Sequence, residues 1–382
     1  KTPVRTISPP SVVVLPMIQQ IGAPNKPIVS VGDTVKMGQL IGTNDAPVSA
    51  PVHASVSGKV IAVEPRRHML GDMVMSVVIE NDFEDRWDES VKPCDNVDAL
   101  SAADIASIAA RGGIVGMGGA AFPTNVKLDT SKLEEKPDTL IVNGSECEPY
   151  LTSDHRIMVE NAEQIVDGIA LAMKASGVAC AKVGIEDNKP DAIAAMREAA
   201  SGKQNIEVVS LPARYPQGFE KTLIYSLTGR IVPNGKLPSA AKCVVMNVGT
   251  CAALSAAVRK GQPLIDRVVT VTGRVANPAS FRVRIGAPLL DLIDQAGGLT
   301  EGVRKLVVGG AMMGNAVPTL NLPITKNFGG FLALGEEAIS AEESACIRCG
   351  RCMRACPMKL MPAKIDALVR HGDYDGAIAA GA

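Results

Sequence analysis

Four cysteines crowded into one short run constrain this chain more than any other feature: Cys346-Ile-Arg-Cys349-Gly-Arg-Cys352-Met-Arg-Ala-Cys356-Pro357, a C-x2-C-x2-C-x3-C-P pattern. The spacing lets one tight loop aim three thiolates at three irons of a cubane, with the fourth cysteine opening a helix that points elsewhere. Zinc sites use C-x2-C pairs set a dozen or more residues apart, and nine cysteines in 382 residues are too few for a disulfide scaffold. The chain is therefore expected to ligate a [4Fe-4S] cluster through Cys346, Cys349, Cys352 and Cys356, in a reducing compartment.

In two-cluster ferredoxins the fourth cysteine of such a run serves the other cluster, and a second run supplies the missing ligand. The sequence holds no second run. Either Cys356 closes a single cluster, or the chain, which ends at Ala382, is truncated before its second motif. The start at Lys1 rather than Met gives the same expectation of an excised segment. Arg348, Arg351, Arg354, Lys359, Lys364 and Arg370 face one acid, Asp366, around the cysteines. They read equally as a solvated face and as a positive field or docking face beside anionic thiolates.

A chain of 382 residues, 46% hydrophobic, exceeds one core, because single cores stop growing near about 250–300 residues. Thirty-six glycines and 25 prolines stand against six Phe, four Tyr and one Trp, so the chain is turn-rich and its interior aliphatic. A net charge of −1 gives no overall attraction to nucleic acid or anionic lipid, which argues against a nucleic-acid binder. There is no apolar run of membrane-spanning length, and Pro3, Pro9 and Pro10 interrupt the start where a signal peptide needs apolar residues. The chain is expected to be soluble and unexported, with no transmembrane span of its own.

Four textures succeed one another along the chain. Residues 25–80 carry short β-like runs broken by Gly and Pro, the spacing of a small barrel or sandwich. Its halves, VSVGDTVKMGQLIG and VHASVSGKVIAVE, resemble the barrel-sandwich hybrid of biotinyl and lipoyl carrier domains, but the turn APVSAP lacks a lysine to modify. His53 and His68 are read as packed or surface residues. From about 101 the pattern alternates: helix SAADIASIAARGG stopped at Gly112, strand 139–144, helix NAEQIVDGIALAMKASG, strand 181–186, a helix opened by Pro190, strand 206–212, strand KCVVMNVG and helix TCAALSAAVRKG. That order predicts a mostly parallel α/β sheet. RVVTVTGRV, FRVRIG, APLLDLIDQAGG and KLVVGG then form a β-β-α-β string that looks like a soluble-ligand-binding β-grasp domain. A link with Pro318, Pro323, Gly329 and Gly330 leads to the cysteines. The expected boundaries are 1–98, 99–262, 263–320 and 335–382.

Two loops in the α/β portion suggest a ligand. Arg111-Gly112-Gly113-Ile-Val-Gly116-Met-Gly118-Gly119 packs five glycines into eight residues, which lets backbone N–H groups approach a phosphate closely, or makes a plain loop. A helix precedes it where a dinucleotide fingerprint needs a strand. Asn143-Gly-Ser145-Glu146-Cys147-Glu148-Pro149-Tyr150 comes after a strand end, where open α/β sheets place ligands. Its amide and carboxylates suit ribose hydroxyls or a flavin edge, and a solvated turn equally well. Cys147 between two acids is no nucleophile, because acids raise a thiol pKa.

Together GMGGAAFPTNVK and NGSECEP resemble the GRGGAGFPTGLK and NADExEP pair of the NADH-oxidising, flavin-binding subunit of respiratory complex I. The order barrel-sandwich hybrid, Rossmann-like α/β flavin/NADH domain, β-grasp domain, ferredoxin-like helical [4Fe-4S] segment resembles the C-subunit family of Rnf electron transport complexes, over nearly the whole chain. The resemblance implies FMN phosphate and ring contacts at Gly116, Gly118, Gly119 and Lys127, an aromatic beside the nicotinamide at Phe122, and the acidic loop at Asn143, Glu146 and Glu148. Ser145 stands where the complex I pattern has Asp. Tyr215, Gly218 and Glu220 match YxxGEE with Phe219 replacing its first Glu, and Asn247 and Thr250 match NNVET.

The same resemblance implies a multidomain α/β oxidoreductase component that passes electrons between NAD(H), FMN and [4Fe-4S] clusters. A nicotinamide gives up two electrons as a hydride and a cubane accepts one, so a flavin between them is a chemical requirement. No side chain need act as acid or base. Implied partners are the other subunits of a membrane-bound, ion-translocating complex and a ferredoxin; the implied place is peripheral, on the cytoplasmic side of a bacterial membrane. Two rivals share these residues: a cobalamin reductase of propanediol-utilisation microcompartments, and a non-catalytic electron-transfer adaptor.

Overall fold

Near-continuous apolar strands alternating with amphipathic helices build, over residues 101–261, a parallel sheet buried on both faces. The computed structural model describes residues 2–131, 133, 135–339, 343–356 and 358–382. Pro357, which ends the cysteine pattern, lies outside the described residues. The chain divides into two units, Lys1–Ala338 and Ile339–Ala382.

The parallel sheet has the order Ile206–Leu211, Cys180–Glu186, Thr139–Asn143, Cys243–Asn247. Along Thr139–Asn143 alternate side chains serve two cores. Leu140 and Val142 pack with the helices Ala162–Ser176 and Val248–Lys260, while Ile141 packs with Leu223, Ile224 and Leu227 of the helix Glu220–Thr228. Truncating Ile141, which is fully buried, to Ala is expected to cost about 2–5 kcal/mol. The helix Ala102–Arg111 starts on a capping box between Ser101 and Asp104. It ends at Gly112 in ordinary right-handed geometry, and the left-handed turn falls on Gly113 at φ 61°. A Cβ there would also meet the Pro51 carbonyl oxygen at 2.4 Å, so Gly113 is required twice over. Among the described residues three helices of this layer escape the periodic pattern, Thr124–Leu128, Ser153–Glu160 and Glu220–Thr228.

Ahead of this layer, antiparallel strands form a four-stranded and a three-stranded sheet over residues 12–81. The turn APVSAP is tied into the body, since Ala50 is buried and its carbonyl accepts from Asn25 Nδ2. His53 and His68 are buried, as expected of packed residues.

The third layer is a six-stranded sheet in the order Arg5–Thr6, Ala279–Arg284, Asp266–Gly273, Gly330–Leu334, Lys305–Val308, Asn315–Val317. It departs from the sequence reading at two strands, one at its edge and one at its centre. Arg5–Thr6, read with the first module, adds in parallel to Ala279–Arg284. Gly330, read as part of a link, opens a strand at the centre of the sheet, parallel to Asp266–Gly273 and antiparallel to Lys305–Val308. The glycine pair and the prolines before it hid an apolar run, FLAL, that a central position buries completely but for Leu334. Phe281, Phe328 and Phe331 fill this core, so half the phenylalanines of an otherwise aliphatic chain serve it.

The unit Ile339–Ala382 is built of short helices, Arg351–Ala355, Pro362–Arg370 and Tyr374–Ala379. Its ties are local: Asp373 caps the last helix through Gly376 N, and Arg370 pairs with Asp366 and Glu343, each at 3.0 Å. Among the described residues no helix is long and apolar enough to cross a membrane.

Candidate functional site

The parallel sheet reverses its direction of winding beside its first strand. From Thr139–Asn143 the chain steps outward to Cys180–Glu186 and Ile206–Leu211, then returns to the other side for Cys243–Asn247. Asn143 and Asn247 are register partners at adjacent strand ends, which is the crevice where open α/β sheets bind ligands. A cleft of about 370 Å³ opens there. Its walls are the glycine loop at Met117–Ala120, the acidic loop at Ser145–Glu148, Asn247, and, from the six-stranded sheet, Arg267 and the loop Val308–Gly310.

The backbone of the glycine loop is fixed from behind. Thr250 Oγ1 accepts from Met117 N at 2.9 Å and donates to the Val115 carbonyl at 3.4 Å, and Gly116 N donates to the Phe122 carbonyl at 2.9 Å. Gly118 lies against the Asn247 amide, whereas Gly119 has no heavy atom within 4 Å of where a Cβ would stand. The backbone at Gly119 is thus open to a ligand, and side chains are kept out of the cradle.

Most polar side chains of the cleft are engaged by the fold itself. Asn143 Nδ2 donates to the Gly218 carbonyl at 2.8 Å and its Oδ1 accepts from Ser145 N. Ser145 Oγ donates to the Gly184 carbonyl at 3.1 Å. A Cβ at Gly218 would meet the Ser145 carbonyl oxygen at 2.1 Å, which explains a glycine at that position. Asn247 caps its helix by accepting from Gly249 N at 2.8 Å, and its Nδ2 donates to Asp154 Oδ2 at 2.6 Å.

The two carboxylates of the acidic loop do different work. Glu146 reaches the start of the helix Ser153–Glu160 and accepts from Ser153 Oγ and Asp154 N at 3.0 Å and from His155 N at 3.1 Å. Glu148 crosses the cleft and accepts from Met312 N at 3.0 Å and Met313 N at 2.9 Å. It ties the acidic loop to a glycine-flanked loop of the six-stranded sheet whose two methionines are exposed.

Burial and the neighbouring Glu146 hold the Asp154 carboxyl well above the usual carboxylate range, against the Asn247 hydrogen bond and the Arg267 charge. Burial lowers Arg267 to about 10 and raises the Cys147 thiol, as the acids beside it also do. The Cys147 result agrees with its exclusion as a nucleophile.

Of the residues singled out in sequence, Gly118, Gly119, Asn143, Glu146, Glu148, Gly218 and Asn247 line this cleft. Gly116 and Thr250 stand behind the loop. Lys127 and Glu220 lie with each other, 3.9 Å apart, with Lys127 Nζ donating to the Val245 carbonyl at 3.2 Å and its pKa lowered by burial. Phe122 is half-buried, and Tyr215 is exposed, its hydroxyl pKa raised by partial burial and by the charges of Glu148 and Cys147. Sequence reasoning missed Asp154, Arg267 and the loop at 308–315, because they reach the cleft from a non-periodic helix and from another sheet.

In the second unit the four cysteines are outside any disulfide, three exposed and Cys356 half-buried. Cys352 sits within the helix Arg351–Ala355 and Cys356 caps its end, so the fourth cysteine closes a helix rather than opening one. Arg354 Nη2 donates back to the Cys349 carbonyl at 3.1 Å. Four thiols at this spacing suit a cubane as a donor set. Among the described residues no three of His, Cys, Asp and Glu are gathered about a common metal position.

Comparison with known proteins gives four matches along the chain: "RnfC Barrel sandwich hybrid domain" at residues 1–84, "Nuo51 FMN-binding domain" at 109–256, "SLBB domain" at 268–316 and "4Fe-4S dicluster domain" at 338–381. The C subunit of the Na(+)-translocating ferredoxin:NAD(+) oxidoreductase complex of Acetobacterium woodii is 48% identical over 96% of this chain and 83% of its own. The C subunit of the proton-translocating ferredoxin:NAD(+) oxidoreductase complex of Clostridium ljungdahlii is 46% identical over 98% of this chain and 82% of its own. The C subunit of the ion-translocating oxidoreductase complex of Rhodobacter capsulatus is 42% identical over 99% and 73%. Among solved structures, an NAD+-reducing [NiFe]-hydrogenase in the air-oxidised state shares the fold with a TM-score of 0.53 at 22% identity, over 63% of this chain and 50% of that one.

Proposed function

Because the chain belongs to the C-subunit family of Rnf-type ion-translocating oxidoreductase complexes, we propose that it is the peripheral electron-input subunit of such a complex. On this reading it works on the cytoplasmic side of the membrane and passes electrons between NAD(H), FMN and [4Fe-4S] clusters. Its partners are the membrane subunits and a ferredoxin. The modules assigned are a barrel-sandwich domain at 1–98, an FMN/NADH domain at 99–262, a β-grasp domain from 263 through the strand ending at Leu334, and a ferredoxin-type segment from 335.

The observation that carries the reading is the cleft at the switch point, where Gly119 leaves open backbone between the ends of two parallel strands. A phosphate-bearing flavin fits such a cradle. Bound there, FMN would supply the conversion of a hydride into two single electrons. The residues that would hold it are Gly118, Gly119, Asn143 and Asn247, with Glu146 fixing the helix that backs the cleft. Lys127 is assigned to the flavin side, Glu148, Phe122, Tyr215 and Glu220 to the nucleotide side, and Gly116, Gly218 and Thr250 to shaping the loops. The loop-to-sheet tie through Glu148 would exclude water while a nicotinamide is in place. Cys346, Cys349, Cys352 and Cys356 are the cluster ligands by donor type and spacing.

Anaerobic purification of the full chain with flavin, iron and NADH:ferricyanide activity measured on one sample tests this. Stoichiometric FMN with NADH-dependent ferricyanide reduction is the expected result. A chain with iron and neither flavin nor nucleotide binding would leave only an electron-transfer adaptor.

A further inference from the structure

The cleft has a cation in its wall that neither of its own loops provides. Arg267 is the second residue of the strand Asp266–Gly273 in the six-stranded sheet, yet its side chain is 4% exposed and reaches the glycine loop. Nη2 donates to the Met117 carbonyl at 3.3 Å and Nη1 to the Lys326 carbonyl, while Nε has no hydrogen-bond partner among the described residues. With Met117 it also lines a second cavity, of about 550 Å³, that contains none of the site residues read from sequence. Arg267 therefore lines both cavities while its side chain is hidden from bulk water.

Its compensation is incomplete. The acid acting on it is Asp154, whose own carboxyl is disfavoured as an anion by burial and by Glu146. Both hydrogen bonds of Arg267 go to neutral carbonyls. A buried charge paired so weakly acts over several ångströms with little screening.

We propose that Arg267 sets the redox potential of the flavin in this cleft by stabilising the negative charge that the ring gains on reduction. The inference rests on the cleft being a flavin site. When a reduced nicotinamide gives up hydride, its C–H bond breaks and it is left as the oxidised pyridinium. The hydride adds two electrons and one proton to a neutral isoalloxazine, which becomes an anion. A fixed cation in the wall favours that anion over the neutral oxidised ring and raises the potential. Supplied by the adjoining sheet, it makes the potential of the flavin a property of the two modules together.

The test is a spectroelectrochemical titration of the FMN-loaded full chain and of Arg267→Met, Arg267→Lys and Asp154→Asn. Arg267→Met is expected to weaken reduced flavin about tenfold relative to oxidised flavin, a fall of about 30 mV for a two-electron couple. Arg267→Lys keeps the charge and is expected to hold the potential, whereas Asp154→Asn, titrated above the raised Asp154 pKa of about 7, removes the opposing carboxylate and is expected to raise it. Equal shifts in the Met and Lys variants, or a fall in Asp154→Asn, overturn the proposal. Should Arg267→Met not fold, the unmoved potential expected of the Lys variant and the raised potential expected of the Asn variant decide alone. A wild-type chain that holds no FMN defeats the flavin reading and this inference with it; flavin held at an unmoved potential defeats the inference only.

Discussion

The cleft and the cysteine run are the densest motifs of the chain, and they are built in opposite ways. In the cleft, Asn143, Ser145, Glu146, Asn247 and Thr250 all hydrogen-bond to backbone or side chains of the fold, which braces the loops around it. In the cysteine run the four cysteines lie on a short helix and its approach, with short-range ties such as Arg354 to the Cys349 carbonyl. A phosphate or flavin ring makes hydrogen bonds too weak to mould a loop at each binding event, so its cradle has to exist beforehand. A cluster brings several strong metal–thiolate bonds, whose binding energy is enough to organise the short segment around it.

Removing a single thiol gives the largest expected effect. Cys349→Ala is expected to abolish cluster iron while leaving the unfolding of the unit Lys1–Ala338 where it was, read by iron analysis and calorimetry on one sample. A lowered melting temperature of that unit would mean that the two regions are not built independently.

The braced region carries a signature in pH. Lys326 is wholly buried, its Nζ donates to the Pro51 and Gly113 carbonyls at 2.7 Å each, and burial lowers it to about 7. Two acceptors suit the two N–H bonds of a neutral amine. Between pH 7 and the ordinary lysine value of 10.5 the unfolded chain binds a proton that the folded chain does not. Stability is therefore expected to rise with pH across that window by up to about 1.4 kcal/mol per unit. His53, lowered to about 3 by burial and then by Lys326, adds a loss of stability as pH falls from 6.5 toward 3. Urea titrations at several pH values, wild type against Lys326→Met, measure the first effect; a slope that survives the substitution places the titration elsewhere.

Glu146→Ala removes three hydrogen bonds at the start of the helix Ser153–Glu160 and is expected to cost about 2 kcal/mol by urea unfolding. It should also bring the Asp154 carboxyl down, since Glu146 is one of the groups that hold it up. A neutral result would make Glu146 a residue held ready for ligand instead of a brace.

The layers of the fold were legible because apolar period and punctuation agree with burial. TLIVN reads as a strand buried on both faces and becomes one, and NAEQIVDGIALAMKASG becomes the helix Ala162–Ser176. The features that stayed hidden depend on distant partners. FLAL after Gly329–Gly330 looked like linker because its neighbours in the sheet come from residues 266–273 and 305–308. Within the site, the motifs located the loops correctly and the roles of their side chains less well. Glu146 and Glu148 are the same residue two positions apart, and only the helix at 153–160 and the loop at 310–314 distinguish them.

That pair offers the finest test of the contrast between cleft and cysteine run. Glu148 is tied to the backbone of a loop whose Met312 and Met313 are more than half exposed, so solvent competes for both hydrogen bonds. Glu148→Gln keeps one acceptor oxygen and loses the charge; its expected cost to global stability is about 0.5 kcal/mol or less. The loop should register the change where the fold does not, as faster amide exchange at Met312 and Met313 with exchange in the strand Thr139–Asn143 unaltered. If Glu148→Gln costs as much as Glu146→Ala, the rim of the cleft is held as firmly as its floor. A ligand would then meet a closed box rather than a braced cradle with one releasable side, and the contrast with the cysteine run would extend to the whole cleft.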